Sequence, residues 1–315
     1  MDVLTHALLG AALSYTLFTK QLGRKALWVG AAAATAPDLD ILIFSSQDPT
    51  IFMTYHRHFT HALGFIPVGG LLIAGILLLL FKNLRAKWPY VLLAGVVTYA
   101  THGLLDACTS YGTLLLWPFS DRRIAWDIIS IVDPIFTGIL IIGLILAYRR
   151  ESPKPTLYAL IACLLYLGFG FFQHHRALVL QEQLAHERKQ TIEKGRVLPQ
   201  LGNLLGFHSV YISKHRVYLD DIRTPVFEPA HVLESINLPL VTQEDLPPAI
   251  KNKPLLLQDF SVFNWFSDGY ITVLELNPLI LTDLRYVRSI VPLEALWGIE
   301  FPQQASRRHV YWINK

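Results

Sequence analysis

Histidines and aspartates recur at the ends of apolar segments in the first 133 residues. They are His6, Asp38 and Asp40 in PDLD, His56, His58 and His61 in HRHFTH, and His102 and Asp106 in HGLLD. Ionisable groups are costly at membrane depth unless something compensates them, and a shared divalent ion would do so. We therefore interpret these residues as an active site.

The spacing of these residues suits metal binding. His102 and Asp106 are four apart, so on a helix they project from one face on successive turns and reach a single ion. Asp38 and Asp40 flank one residue at the end of a segment that contains proline, where two alternate side chains can converge. The sequence predicts that these pairs meet.

Two further histidines extend the predicted ligand set. His58 and His61 are three apart and share a face if the following helix starts early. Mixed imidazole and carboxylate ligation is typical of zinc, with manganese or iron as alternatives. The predicted metal ligands are His6, Asp38, Asp40, His58, His61, His102 and Asp106.

Other residues are assigned roles around this metal. His56 is a candidate ligand or general acid, and Arg57 is a candidate catalytic residue or an anchor at the membrane interface. Asp127 and Asp133 are either a second metal site or helix caps. The candidates for binding a substrate phosphate are Arg57, Arg122 and Arg123.

Long apolar segments must position these side chains. Of the 315 residues, 52% are hydrophobic and 16% are charged. A membrane-spanning helix needs about 20 mainly apolar residues. Six segments approach this requirement, namely 3–19, 26–44, 62–81, 88–105, 128–148 and 155–173. The sequence predicts an all-α polytopic bundle of about six transmembrane helices, a multi-pass protein of a bacterial-type inner (plasma) membrane.

The basic residues of the short loops predict the orientation. Nine of them follow the first, third and fifth predicted spans, whereas Arg57, Arg122 and Arg123 lie in the loops of the other side. Because cytoplasmic loops carry the excess of Lys and Arg, both termini and the active site are expected outside the cytoplasm.

The pattern changes in the second half of the chain. Segments such as SVYISKHRVYLDDI and PLLLQDFSVFNWFSDGYITVLELN alternate apolar and polar residues, which is typical of strands. We divide the chain into a transmembrane helical domain at 1–175, a helical linker at 176–198 and an extracytoplasmic β-rich domain at 199–315.

Composition excludes some classes of protein. The two cysteines, Cys108 and Cys163, form no CxxC pair, so no thiolate zinc motif or disulfide framework is present. The net charge of +3 is small and dispersed, which argues against a nucleic-acid partner. The expected partners are the lipid bilayer and a lipid or lipid-linked substrate, and the sequence identifies no protein partner.

The blocks DVLTHALLGA, APDLDIL, HRHFTHA and THGLLDACTSYGTLLLWPFSDRR resemble the YdjM-type family of inner-membrane proteins, described as metal-dependent hydrolases. The resemblance covers residues 1–150. More distantly, the order His, Asp, His, His-x-x-x-Asp is similar to zinc-dependent phospholipases C and related single-strand nucleases, which use several zinc ions. The resemblance implies hydrolysis and supplies no substrate.

The resulting hypothesis is metal-assisted hydrolysis of a (phospho)ester of a lipid or lipid-linked substrate at the outer face of the membrane, with water activated by the ion. Two alternatives remain open. One is a divalent-metal or proton transporter, since intramembrane Asp and His can form an ion pathway. The other is a non-catalytic membrane protein whose metal is structural.

Overall fold

The computed structural model describes residues 1–302 and 309–314. It divides into two compact units. The first contains Met1–Leu42, Arg57–Phe172 and Leu201–Leu204, and the second contains Ile43–His56, Gln173–Gln200 and the described part of Leu205–Lys315.

The first unit is helical. Its helices are α1 (Val3–Leu22), α2 (Lys25–Thr35), α4 (Ile66–Leu80), α5 (Trp88–Cys108), α6 (Pro134–Arg150) and the first part of α7 (Lys154–Glu187), while α3 (Thr50–Tyr55) belongs to the second unit. Short 3-10 segments at Ala36–Leu42 and Phe59–His61 interrupt the helical pattern. These interruptions carry two of the four sequence blocks described above.

Local chemistry explains where several of these helices begin. The side chain of Asp2 caps α1 by accepting a hydrogen bond from the backbone N–H of Thr5 at 3.0 Å. Asp133 caps α6 in the same way through the N–H groups of Ile135 and Phe136. A side-chain oxygen at this position pairs donors that have no partner within the helix.

Helices α1 and α2 pack at very short range. A Cβ added to Gly10 would lie 2.4 Å from the carbonyl oxygen of Gly30, and one added to Gly30 would lie 2.2 Å from that of Gly10. Small residues at such a crossing let two backbones approach closely. His6 lies four residues before Gly10 on α1, and Ala34 lies four residues after Gly30 on α2. Both residues contact the site described below.

Three helical segments in the described part of the chain are long and apolar enough to cross a membrane: Leu63–Leu80, Lys82–Cys108 and Lys154–Glu187. The predicted count of six spans is not confirmed. Helix α2 has only 11 residues before the 3-10 segment begins, which is about 17 Å at 1.5 Å per residue, against a hydrocarbon core of about 30 Å. Helix α6 has 17 residues, and α1 contains His6, Ser14 and Lys20 among its 20 residues.

The second unit contains the predicted β-sheet region. One sheet has the order β1-β2-β3-β4, a second has the order β10-β9-β6-β5, and β7 pairs with β8. The strands are β1 (Lys194–Gln200), β2 (Asn203–Ser213), β3 (Arg216–Arg223), β4 (His231–Pro239), β5 (Ile271–Leu276), β6 (Leu279–Asp283), β7 (Val287–Ile290), β8 (Leu293–Ala295), β9 (Trp297–Glu300) and β10 (Tyr311–Asn314).

The register of the first sheet explains much of its core. Strands β2 and β3 pair antiparallel, with Val210 opposite Leu219 and Ile212 opposite Val217. All four side chains are buried in one hydrophobic cluster. The alternating pattern in the sequence predicts this arrangement, since successive side chains of a strand face opposite sides.

One strand-like segment is a helix instead. Helix α8 (Pro248–Lys251) precedes α9 (Pro254–Phe266), which occupies the first part of a segment whose sequence pattern predicts an extended chain. Leu256, Phe260 and Phe263 are buried at helical spacings of four and three. Aromatic and apolar residues here fit both periodicities, and the proline in the first turn favours a helix start.

Candidate metal centre

Four side chains of the first unit converge on one buried point. Asp38 lies in the 3-10 segment after α2, His61 ends the segment Phe59–His61, and His102 and Asp106 lie on α5. Each offers one ligand atom, and these atoms lie within 4.8 Å of one another. Three of the side chains have no solvent exposure, and Asp38 is 11% exposed.

The distances between these atoms are close to those of a tetrahedral metal site. Nε2 of His102 lies 3.2 Å from Oδ1 of Asp38 and 3.5 Å from Oδ2 of Asp106. Nε2 of His61 lies 3.7 and 3.3 Å from the same two atoms. Zinc with nitrogen and oxygen ligands at 2.0–2.1 Å places neighbouring ligand atoms about 3.3–3.4 Å apart. The four measured separations, 3.2 to 3.7 Å, are close to this spacing.

Hydrogen bonding prepares His102 for this role. Its Nδ1 lies 2.5 Å from the carbonyl oxygen of Ala34, so Nδ1 donates the proton. A neutral imidazole then keeps a lone pair on Nε2, the atom that faces the two carboxylates. Nε2 of His102 is buried and has no hydrogen-bond partner among the described residues. Such a buried atom indicates a missing partner, and a cation would satisfy it.

His61 is held from its other side by Asp40. Nδ1 of His61 lies 3.3 Å from Oδ2 of Asp40, which also accepts hydrogen bonds from the backbone N–H of Arg57 and the hydroxyl of Thr60. Burial alone would lower the pKa of His61, but hydrogen bonds to Asp106, Asp38 and Asp40 outweigh it and raise the pKa to about 10. Asp40 therefore contacts the ring of a ligand rather than the point where the four ligand atoms meet.

Asp106 has cationic and polar neighbours beyond the four-residue group. Nε2 of His6 lies 3.1 Å from its Oδ1, and the amino group of Met1 contacts the same oxygen. The guanidinium Nε of Arg57 lies 3.2 Å from its Oδ2. His6 also stacks on His102, with ring centroids 3.6 Å apart. These contacts hold Asp106 in place and fix the plane of the His102 ring.

Arg57 is buried beside this cluster. Its backbone has a φ of 62°, which is rare for a residue with a side chain, and its guanidinium lies over the ring of Tyr111 at 4.7 Å. It also donates a hydrogen bond to the hydroxyl of Thr109 at 3.0 Å. The positive charge is thus fixed next to the carboxylates.

The remaining predicted residues lie outside the group of Asp38, His61, His102 and Asp106. His58 packs against Trp117 with ring centroids 5.4 Å apart, and burial lowers its pKa. His56 belongs to the second unit, where its ring stacks on Phe52. Arg122 is exposed. Arg123 donates hydrogen bonds to the backbone carbonyls of Tyr111 and Gly112 and lies over the Tyr111 ring at 5.0 Å.

Asp133 serves to hold helices together rather than to face the four converging ligands. Besides capping α6, it accepts hydrogen bonds from the hydroxyl of Tyr166 at 3.0 and 3.2 Å. Asp127 is buried in the preceding loop with a φ of 56°. In the described part of the chain, neither belongs to a group of three residues whose ligand atoms converge. The cap interpretation accounts for Asp133.

The second unit has its own group of potential ligands, Asp48, Asp259 and His309. Protein donors already satisfy its carboxylates. Asp259 accepts from Nδ1 of His309 and from the backbone N–H of Val310, both at 2.9 Å, and Asp48 accepts from the backbone N–H of Thr50 at 2.9 Å. These hydrogen bonds connect α9 to the segment at His309 and Val310 and leave no carboxylate of the group without a protein donor.

Sequence reasoning missed three residues of the first site. Thr109 and Tyr111 contact Arg57, and the hydroxyl of Tyr99 donates to the backbone carbonyl of Thr60 at 2.8 Å. Thr109 and Tyr111 lie in the block THGLLDACTSYG, directly after Asp106. Their position next to a predicted ligand was the available signal.

Comparison with known sequences identifies the class of protein. The pattern of the YdjM inner membrane protein family matches residues 1–177, which include all four converging residues. The chain therefore belongs to the YdjM inner membrane protein family. Membership in this family and the three apolar helices support an inner-membrane location.

Two relatives extend this comparison. The chain is 24% identical over 298 residues to the uncharacterized protein YfhP of Bacillus subtilis (strain 168), covering 91% of this chain and 87% of the relative. It is 32% identical over 134 residues to the inner membrane protein YbcI of Escherichia coli (strain K12), covering 41% of this chain and 75% of that protein. No solved structure gives a significant match.

Proposed function

We propose that the protein is a membrane-bound, metal-dependent hydrolase that cleaves a (phospho)ester of a lipid or lipid-linked substrate. One observation carries this proposal, namely the convergence of four ligand atoms at tetrahedral spacing in a buried site. A cation at the common point of these two carboxylates and two imidazoles would add to the compensation that Arg57 and the amino group of Met1 give Asp106.

Asp38, His61, His102 and Asp106 would hold the ion, and the mixed nitrogen and oxygen donors favour zinc over calcium or magnesium. When bound, such an ion supplies Lewis acidity, which acidifies water and neutralises charge on a phosphoryl or carbonyl oxygen. Asp38 is the ligand with solvent exposure, so it marks the side from which substrate and water reach the site.

Neighbouring residues of the chain prepare the site. The carbonyl of Ala34 and the carboxylate of Asp40 each bind the Nδ1 side of a histidine, which directs Nε2 of His102 and of His61 toward the common point. The guanidinium of Arg57, fixed against Tyr111, provides a positive charge that would attract an anionic substrate oxygen. His56 and Arg123 stay candidates for proton transfer and substrate binding.

Apolar surface beside Asp38 supports a substrate with a lipid tail. Leu39 is 60% exposed, Ile41 is 49% exposed and Leu42 is 68% exposed, and these residues lie between and after Asp38 and Asp40 in the chain. Exposed aliphatic side chains are stable against lipid. A substrate whose tail stays in the bilayer could then bring its polar end to the ligands.

Loop charge supports an extracytoplasmic site. Basic residues cluster at the ends of α1, α4 and α6 and in the segments that follow them, at positions such as Arg24, Arg85 and Arg149. The four converging ligands lie at the opposite ends of these apolar segments. By the positive-inside rule, the ligands and both termini would lie outside the cytoplasm.

The test combines metal analysis with a hydrolysis screen. The purified full-length protein is reconstituted in vesicles of phosphatidylethanolamine and phosphatidylglycerol, its metal content is determined by mass spectrometry, and release of water-soluble phosphate or headgroup is measured. Bis(p-nitrophenyl) phosphate serves as a soluble phosphodiester. We expect one or more equivalents of zinc and turnover of at least one substrate, both abolished by Asp106→Ala.

The matched control is Asp121→Ala, since Asp121 lies in an exposed loop outside the cluster. It should retain metal and turnover. Bound metal without turnover on any ester would favour a structural metal, whereas uptake of labelled zinc into the vesicles, lost in His102→Ala, would favour transport. Either result overturns the hydrolase proposal.

A further inference from the structure

An exposed loop between β3 and β4 carries the most exposed large apolar side chain of the described chain. The loop is formed by Thr224–Ala230, with the sequence TPVFEPA. Phe227 is 98% exposed and Val226 is 50% exposed. Phe227 beside Val226 gives the loop an apolar tip, and transfer of this surface from water to an apolar environment would be favourable.

Helix α7 holds this loop rigidly. The side-chain amide of Gln173 donates to the carbonyl of Thr224 at 2.7 Å, and the guanidinium of Arg176 donates to the carbonyl of Pro225 at 2.7 Å and to that of Glu228. Gln173 is fully buried and itself accepts a hydrogen bond from Arg176 at 2.8 Å. Proline at 225 and 229 further limits the loop backbone. The loop is therefore presented by two residues of one helix.

These two residues lie where α7 leaves the membrane. The predicted span of this helix, residues 155–173, is 19 residues long, which is about 29 Å and is close to a hydrocarbon core of about 30 Å. Apolar side chains on it are exposed up to Phe171 and Phe172, at 64% and 56%. The first charged residue after the stretch is Arg176. The anchor of the loop thus coincides with the level of the membrane–water boundary.

We propose that the loop Thr224–Ala230 is a membrane-contact loop, which inserts Phe227 and Val226 into the interface of the bilayer that α7 crosses. The partner is the lipid surface itself, because the residues that anchor the loop, Gln173 and Arg176, lie at the end of the predicted span of α7. Apolar and aromatic residues at this depth bury their rings at the boundary between headgroups and acyl chains. The loop would give the first sheet a contact with the bilayer, independently of any catalytic activity.

The test measures the surroundings of residue 227 in the full-length protein. A nitroxide is attached to Phe227→Cys in phosphatidylethanolamine and phosphatidylglycerol vesicles, and its accessibility to oxygen and to a water-soluble nickel complex is measured. The matched control is Leu276→Cys, whose side chain is 79% exposed at the end of β5 in the same unit. The native Cys108 and Cys163 are buried, and labelled wild-type protein provides the blank.

We expect the label at 227 to show higher oxygen and lower nickel accessibility than the label at 276. Equal accessibility at the two positions, whether aqueous or lipidic, would overturn the proposal.

A second variant tests whether Arg176 anchors the loop. Arg176→Gln in the Phe227→Cys background should increase the mobility of the label and its nickel accessibility, provided the protein elutes as a single species. An unchanged spectrum in this variant would also overturn the proposal.

Discussion

Nδ1 of His61 lies 3.3 Å from Oδ2 of Asp40, on the side of the imidazole ring away from Asp38 and Asp106. The sequence pattern predicts Asp40 as one metal ligand among seven. In the structure it contacts a ligand and is itself held by the N–H of Arg57 and the hydroxyl of Thr60. A carboxylate in this position orients the ring and raises the basicity of the coordinating nitrogen.

Asp40→Asn should therefore weaken metal binding without abolishing it. Loss of such a partner typically lowers metal affinity about 10–100-fold. Competition with a chromophoric zinc chelator measures this affinity in the purified protein. Asp121→Asn, in an exposed loop, is the control and should bind zinc as the wild type does. Complete loss of zinc in Asp40→Asn would show that Asp40 is a direct ligand instead.

The crossing of α1 and α2 should tolerate no additional methyl group. In Gly10→Ala the new Cβ would lie 2.3 Å from Cβ of Ala34 and 2.4 Å from the carbonyl oxygen of Gly30. We expect the free energy of unfolding to fall by about 1–3 kcal/mol, the usual cost of overpacking. Thermal unfolding in detergent measures the effect. Gly75→Ala is the control, because nothing lies within 4 Å of its added Cβ, and equal behaviour of both variants would contradict this account.

The variant Asp133→Ala tests whether Asp133 acts as the cap of α6 or as a ligand of a second metal site. Loss of the hydrogen bonds to Ile135 and Phe136 should lower the free energy of unfolding by about 0.5–2 kcal/mol. The zinc content should stay that of the wild type. Chemical unfolding and metal analysis on the same sample measure both quantities. A reduced zinc content in a folded variant would favour the second metal site.

His208 should make the stability of the protein depend on pH. Burial within β2 lowers the pKa of this histidine from its ordinary value of 6.5, while Asp221 opposite it on β3 only partly compensates. Below about pH 6.5 the unfolded chain binds the proton more readily than the folded one, so stability decreases as the pH falls. Above that pH this contribution is fully present.

Thermal unfolding between pH 5.5 and 7.5 checks the sign. His208→Gln should show a smaller decrease in melting temperature toward acidic pH than the wild type. His231→Gln is the control, because His231 is exposed at the start of β4. An identical decrease in wild type and His208→Gln would show that other groups cause the pH dependence.

Local patterns predict part of the fold for identifiable reasons. The uncharged segment before Phe81 is long enough to indicate a helix, and the alternation around Val210 is long enough to indicate a strand. The structure has a helix and a strand at these positions. The segment from Pro254 to Phe266 is ambiguous because its apolar residues fit both periods, and it is a helix. The predicted span at 26–44 ends its α-helix at Thr35, since a 3-10 segment containing Pro37 follows.

The amino-acid sequence alone determines the apolar composition of the helices and the types of the candidate metal ligands, because the four His and Asp blocks can be identified without the structure. Helical spacing is also sufficient to pair His102 with Asp106. The tertiary fold is needed to bring Asp38 and His61 to that pair and to place Asp40 behind His61. Asp38 and His61 lie in short 3-10 segments, whose direction depends on long-range packing such as the contact of Gly10 with Gly30, and no local periodicity encodes that packing.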